Sequence, residues 1–323
     1  MKICDPHVHL FVDDERRKRY LVDDLSADLA DGHAVVSAVY VEAANGFRAA
    51  GPDELKPVGE TEWVVQLDPD GVLAAIVGYA DLRLGDAIEE VLVAHVEAGG
   101  GRFRGLRART NWDASPEVPT SRFAAGPRLL DDPHVGRAVS VLGRLGLTLD
   151  VFVYFHQLEE VARLAAAHPD VSIVVDHFGT PLAIGPYAGR REETLADLRR
   201  GLERLARAEN VRLKLGGLGW PGFGYGWETR SEPPEADEVA EAWGPLERWC
   251  IETFGPDRAM CESNYPSDRP SLPYRTIWDA HELMTEELSE AERAAVLHDT
   301  AARFYRIDHQ SRPPLTKITS PVT

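Results

Sequence analysis

Near the start of the chain two histidines stand two residues apart, in Asp5-Pro6-His7-Val8-His9. On an extended strand, residues two apart project to the same side. His7 and His9 can therefore share one metal ion or one substrate group, and imidazole nitrogen suits Zn²⁺, Mn²⁺ and other borderline metals. Alone, such a pair reads more readily as two hydrogen-bonded core side chains. A third histidine, His177, closes a later strand-like run in Asp176-His177-Phe178-Gly179 and turns the reading toward a pocket. Arg107 and Arg109 also share a face by their spacing. Guanidinium groups grip carboxylates bidentately, so with Lys214 they either hold an anionic substrate or neutralise Glu42 or Glu262 across the fold. Tyr154 and His156 follow another apolar run. Trp220 lies in the aromatic, Gly-rich stretch GGLGWPGFGY, residues 216–225. That stretch reads as a lid or wall over a ring-shaped substrate, or as surface buried at a subunit contact.

These residues need elements to position them. Short β-rich runs fall at residues 2–9, 34–43, 72–79, 102–109, 147–154, 171–177, 211–215 and 258–262. Helical periodicity fills the segments between them, most clearly at 157–167 and 192–208. Strands alternating with helices predict a parallel sheet, and eight repeats predict closure into a single (β/α)₈ TIM barrel, of which residues 1–310 form the catalytic domain. The chemistry-bearing side chains then sit at the C-terminal ends of the strands, which meet at one face of such a barrel. Long Gly- and Pro-rich loops follow the strands at 46–59, 111–133, 178–189 and 216–234, where a barrel builds its pocket. The stretch 311–323, rich in Pro, Ser and Thr, reads as a flexible tail or an arm onto a neighbouring subunit. The other histidines (His33, His95, His134, His168, His281, His298 and His309) read as surface or local packing residues.

Four stretches resemble the branch of the amidohydrolase superfamily that holds sugar-lactone and pyrone-dicarboxylate lactonases and metal-dependent decarboxylases. They are Asp5-Pro6-His7-Val8-His9, Gly105-Leu106-Arg107, Asp176-His177-Phe178-Gly179-Thr180-Pro181, and the segment from Asp257 to Pro266. The ending Ala301-Ala302-Arg303-Phe304-Tyr305-Arg306 also fits that branch, and the likeness spans about residues 2–307. It implies that His7, His9 and His177 line a catalytic pocket, with or without one divalent metal, Zn²⁺ or Mn²⁺. It also implies an aspartate after the last strand as general base. Here the usual Ser-Asp-Trp-Pro is Ser263-Asn264-Tyr265-Pro266, and a neutral asparagine cannot take a proton from water. A Glu-Ser-Asn-Phe-Pro variant within the branch makes this a subgroup feature. Glu262, two residues earlier on the same side, and Asp268 in the following loop are the carboxylates that can replace the missing base. The histidine of a related Tyr-His-Pro-Gln-Leu stretch is shifted by one, to His156.

Composition narrows the partners. With 53 acidic and 35 basic side chains the net charge is −18, which repels phosphate backbones and anionic membrane faces. Cys4, Cys250 and Cys261 have no paired spacing, which argues for a reducing compartment such as the cytoplasm. No apolar run is long enough to span a membrane. The expectation is a hydrolase for a small cyclic ester or related carbonyl compound, carrying hydroxyl or carboxylate groups. Decarboxylation or hydration on the same scaffold, and ligand binding without catalysis, are the competing classes, and a homodimer is allowed.

Overall fold

The computed structural model describes the chain apart from residues 15, 16, 122, 124, 125 and 308–323. The expected tail and His309 lie outside the described residues. Eight parallel strands stand in sequence order: β1 (Lys2–Val8), β2 (Ala34–Val41), β3 (Leu73–Gly78), β4 (Phe103–Arg109), β5 (Thr148–Phe152), β6 (Ile173–Val175), β7 (Val211–Leu215) and β8 (Ala259–Cys261). The ring closes just beyond β8, where Val8 bridges Tyr265 and the His9 N–H donates to the Tyr265 carbonyl at 2.7 Å. This is the (β/α)₈ barrel that the alternating pattern predicts.

The helices between and after the strands are α1 (Val22–Leu29), α2 (Val58–Leu67), α3 (Ile88–Ala98), α4 (Pro133–Arg144), α5 (Leu158–Ala167), α6 (Arg191–Leu205), α7 (Ala236–Phe254) and α8 (Tyr274–Met284). The short helices α9 (Glu290–Ala294) and α10 (Thr300–Phe304) follow. Each of α1 to α8 buries apolar side chains. In α5 these are Leu158, Val161, Leu164 and Ala165, at helical spacing, with Glu159 and Glu160 in the first turn favouring the positive end of the helix dipole. Asp132 caps α4, accepting from the His134 N–H at 2.8 Å, and Pro133 fits the first helical position. Among the described residues no helix is long and apolar enough to cross a membrane.

Two levels of the barrel interior matter for the site. The lower one is apolar: Cys4, Val39, Val41, Ala75, Val77, Val174 and Met260 pack on Ala301, Phe304 and Tyr305 of the closing segment. That segment covers the N-terminal mouth, where Arg104 at the start of β4 donates to the Tyr305 carbonyl at 2.7 Å. Above it Lys214, wholly buried, pairs with Asp150 at 2.7 Å and Asp176 at 3.1 Å. The Tyr305 hydroxyl donates to Asp150 at 2.6 Å. The histidines stand on this platform.

Candidate active site

Strands β6 and β8 are only three residues long, so His177 and Glu262 lie just past their ends rather than within them. His177 has φ +52° and Asn264 φ +53°, conformations that L-residues seldom adopt and that cluster at functional sites. They turn the chain sharply and aim both side chains over the barrel mouth. The glycines after β7 allow this. A Cβ on Gly216 would fall 2.3 Å from Glu262 Cγ, and one on Gly217, whose φ is +69°, would fall 3.0 Å from His177 Nδ1.

Glu262 organises two of the histidines. Its Oε1 accepts from His177 Nδ1 at 2.5 Å, and its Oε2 lies 2.8 Å from His7 Nδ1. Burial alone would raise its pKa, yet His177 and His7 reverse this and hold it well below the ordinary carboxylate range. Conversely, burial alone would depress His177, and Glu262 raises it above its ordinary value. His9 behaves differently. Burial, helped by His7 and Arg107, keeps it neutral, well below its ordinary value. Its Nδ1 is 2.7 Å from the Val41 carbonyl, which can only accept, so the proton sits there and Nε2 carries a bare lone pair.

That Nε2 lies 3.2 Å from His7 Nε2. An ionised Glu262 oxygen stands 2.8 Å from His7 Nδ1, so Nδ1 carries a proton, and in the neutral ring Nε2 is unprotonated with Arg107 Nη1 3.2 Å away. Two unprotonated nitrogens then face one another across 3.2 Å. Two nitrogens on one tetrahedral Zn²⁺, each at 2.0–2.1 Å, stand about 3.3 Å apart. Donor atoms of His7, Asp176 and His177 also lie within 4.8 Å of one another. Asp176 is fully buried, with its Oδ1 3.1 Å from Lys214 Nζ and 3.6 Å from His7 Nδ1. Facing imidazoles above an ionised carboxylate fit a single divalent cation.

Asp268 completes the mouth. It is buried in the loop after β8, accepting from the Gly219 N–H at 2.7 Å and from Asn264 Nδ2 at 2.7 Å. Burial pushes its pKa to about 7, against the pull of the Gly219 N–H and of His177. An aromatic wall stands alongside. Phe152 meets His177 edge-on at 5.4 Å and Trp220 at 6.4 Å, and Trp220 stacks on Tyr154 at 6.4 Å between ring centres.

The Amidohydrolase family profile matches residues 4–307. The chain belongs to the amidohydrolase family. Among its relatives, the y4mH protein of Sinorhizobium fredii strain NGR234, itself uncharacterised, is 33% identical over 291 residues, covering 90% of this chain and 86% of that one. The L-fucono-1,5-lactonase of Burkholderia multivorans is 29% identical over 250 residues, 77% of each chain. An amidohydrolase from Burkholderia multivorans, solved with bound zinc, superposes with a TM-score of 0.75 at 26% identity, covering 95% of this chain and all of that one.

The amidohydrolase brings together His7, His9, His177, Glu262, Asn264 and Asp268, all at one mouth. Arg107 and Lys214 also touch His7, at 3.2 Å each, but their charges are taken up by carboxylates. Arg107 Nε donates to Glu42 Oε1 at 2.8 Å and Arg109 Nη2 to Glu42 Oε2 at 2.8 Å, so the arginines neutralise Glu42. Lys214 is sealed beneath His7 and has no exposed surface to offer a ligand. His156 sits at the rim, its Nε2 3.0 Å from Asp113, and stays outside the histidine cluster. The 216–225 loop packs back on its own barrel. Its Leu218 carbonyl accepts from Trp243 Nε1 at 3.2 Å, and Phe223 packs on Trp243.

Sequence reasoning passed over Asp150, Phe152 and Asp176. The alternation of β5 carried the signal for two of them, because Asp150, Phe152 and Tyr154 share one parity. His281 was read as a local packing residue. It is fully buried and meets Glu247 at 3.0 Å behind β8.

Proposed function

We propose that this amidohydrolase hydrolyses a small cyclic ester, a hydroxylated lactone ring. The observation that carries the reading is Asp268: a buried carboxyl with a pKa of about 7, tied to Asn264 and close enough to His177 to feel its charge. A general base works best when its pKa lies near the operating pH. Asn264 cannot itself accept the proton, but its amide fixes Asp268 and orients the water.

His7, His9 and His177 would hold one divalent ion, zinc or manganese, which when bound polarises a carbonyl and lowers the pKa of water toward neutrality. The chain's own residues account for the rest. Glu262 locks the ring orientations of His177 and His7 through its two oxygens. Asp268 takes a proton from water as the oxygen attacks the ester carbon. It returns that proton to the ring oxygen as the C–O bond breaks, leaving an open hydroxy acid. Trp220 and Phe152 offer flat faces against which a ring can lie. The relation to the L-fucono-1,5-lactonase supports a sugar-lactone type of substrate. The engagement of Arg107 and Arg109 by Glu42 argues against a substrate that needs two free cations.

The test is a panel of sugar lactones, pyrone dicarboxylates and dihydroxybenzoates, followed by acid release and by carbon dioxide release. Acid release from a neutral lactone is expected, and it should vanish in His177→Ala with the fold retained by circular dichroism. Carbon dioxide release from a dihydroxybenzoate, with no lactone opened, would overturn the reading. So would full lactone turnover by His177→Ala.

A further inference from the structure

Behind β8, on the side that faces the helices, three donors of different chemistry meet away from the barrel mouth. Cys261 of β8 donates its thiol to Glu247 Oε1 of α7 at 3.8 Å. Glu247 Oε2 lies 3.0 Å from His281 Nδ1 of α8. Ligating atoms of all three lie within 4.8 Å of one another, and none of the three side chains has exposed surface. We propose that Glu247, Cys261 and His281 form a structural site for one borderline divalent cation, zinc being the ion that fits, which pins α7 and α8 to β8 directly behind Glu262.

Four observations point this way. The donors are a thiolate, a carboxylate and an imidazole, the set that zinc takes. The far nitrogen of the histidine is already engaged: its Nε2 lies 3.3 Å from the Glu262 carbonyl, which can only accept, so that nitrogen carries a proton, while Nδ1 holds a second proton toward Glu247 Oε2 at 3.0 Å that an ion would displace. Metal-bound histidines commonly donate their far N–H to a backbone carbonyl in this way. The spacings suit the ion as well. With Zn–S of about 2.3 Å and Zn–N or Zn–O of about 2.0–2.2 Å, donors on a tetrahedral centre stand roughly 3.3–3.6 Å apart. The observed 3.0 and 3.8 Å straddle that range. Finally, the charges cancel. Binding releases the Cys261 proton and the His281 Nδ1 proton to solvent, and a thiolate plus a carboxylate then balance a 2+ ion, so no net charge is buried. The alternative is a plain hydrogen-bonded chain, Cys261 to Glu247 to His281.

Sulfur separates this site from the catalytic one, whose candidate donors His7, His9, His177 and Asp176 contain none. The full chain is loaded with zinc and its metal-edge X-ray absorption recorded, then loaded with cobalt and its near-ultraviolet spectrum recorded. One sulfur scatterer at about 2.3 Å and a thiolate-to-cobalt charge-transfer band are expected. The band should disappear in Cys261→Ser and persist in Cys250→Ser and in His177→Ala. A wild-type protein that takes up metal with only nitrogen and oxygen neighbours overturns the proposal, as does a band that survives Cys261→Ser. The first of these readings comes from the wild-type chain, so a poorly folding variant does not blunt the test.

Discussion

At the scale of single residues, Asp268, as the proposed base, would set the pH behaviour. Its folded-state pKa of about 7 lies above the ordinary 3.8 because burial penalises its charge. A carboxyl raised in this way gives its stability below the unfolded pKa and loses it as pH rises through about 7. Catalysis needs the opposite, the ionised form. Wild-type kcat/KM should therefore climb with pH and level off above about 7, while stability falls across the same window. Asp268→Asn removes both trends. We expect turnover to drop at least about a hundredfold, in the range that general base catalysis supplies. We expect the variant to be more stable than wild type by about 1–3 kcal/mol at pH 8, yet equal to it at pH 4. Urea titrations at the two pH values and a pH–rate profile check this. A variant that keeps the wild-type profile would remove Asp268 from the base role. The missing aspartate at Asn264 was legible in the sequence, and so were the two carboxylates able to replace it. Choosing between them was not, because the choice rests on which one the histidines already occupy. Glu262 is held by His177 and His7, whereas Asp268 is tied to neutral donors.

At the scale of elements, the strands were legible from apolar runs, but their ends were not. The sixth and eighth runs read as seven and five residues, and β6 and β8 each stop at three because the chain turns at left-handed positions. Those turns are local φ choices at non-glycine residues, which hydrophobic pattern does not encode. The Gly216-Gly217 pair makes the complementary prediction. Gly217→Ala meets two obstacles: a φ of +69°, which costs an L-residue roughly 1–2 kcal/mol, and the His177 ring 3.0 Å from the new Cβ. Gly189, with φ +73° and nothing within 4 Å, carries the first cost without the second. We expect both Gly189→Ala and Gly217→Ala to lose stability in thermal melts, Gly217→Ala the more. Only Gly217→Ala should also lose activity, by about tenfold or more, since small misplacements of a catalytic group are costly. Equal activity in both would mean that the loop after β7 does not position His177.

At the scale of the whole molecule, the site is the top of a column that runs through the barrel. Tyr305 belongs to the last described segment, yet its hydroxyl reaches Asp150, Asp150 and Asp176 flank Lys214, and Lys214 Nζ stands 3.2 Å from His7. The sequence shows that the closing Phe304-Tyr305 pair is apolar enough to be buried. It does not show that one of these rings is the floor beneath the first histidine, because the contact spans the chain from end to end. The column is a test of how much the histidines depend on it. Tyr305→Phe keeps the ring, which lies under the Lys214 ammonium at 5.6 Å, and removes only the hydrogen bond to Asp150. Losing a buried bond to a charged acceptor costs about 1–3 kcal/mol, so the urea midpoint should fall with the slope unchanged. Turnover should stay within about threefold of wild type, a shift of well under 1 kcal/mol in barrier height, because Glu262, not Lys214, fixes the rings of His7 and His177. A collapse of activity in a variant that remains folded would place the determinant of the site in the barrel floor instead of at the end of β8.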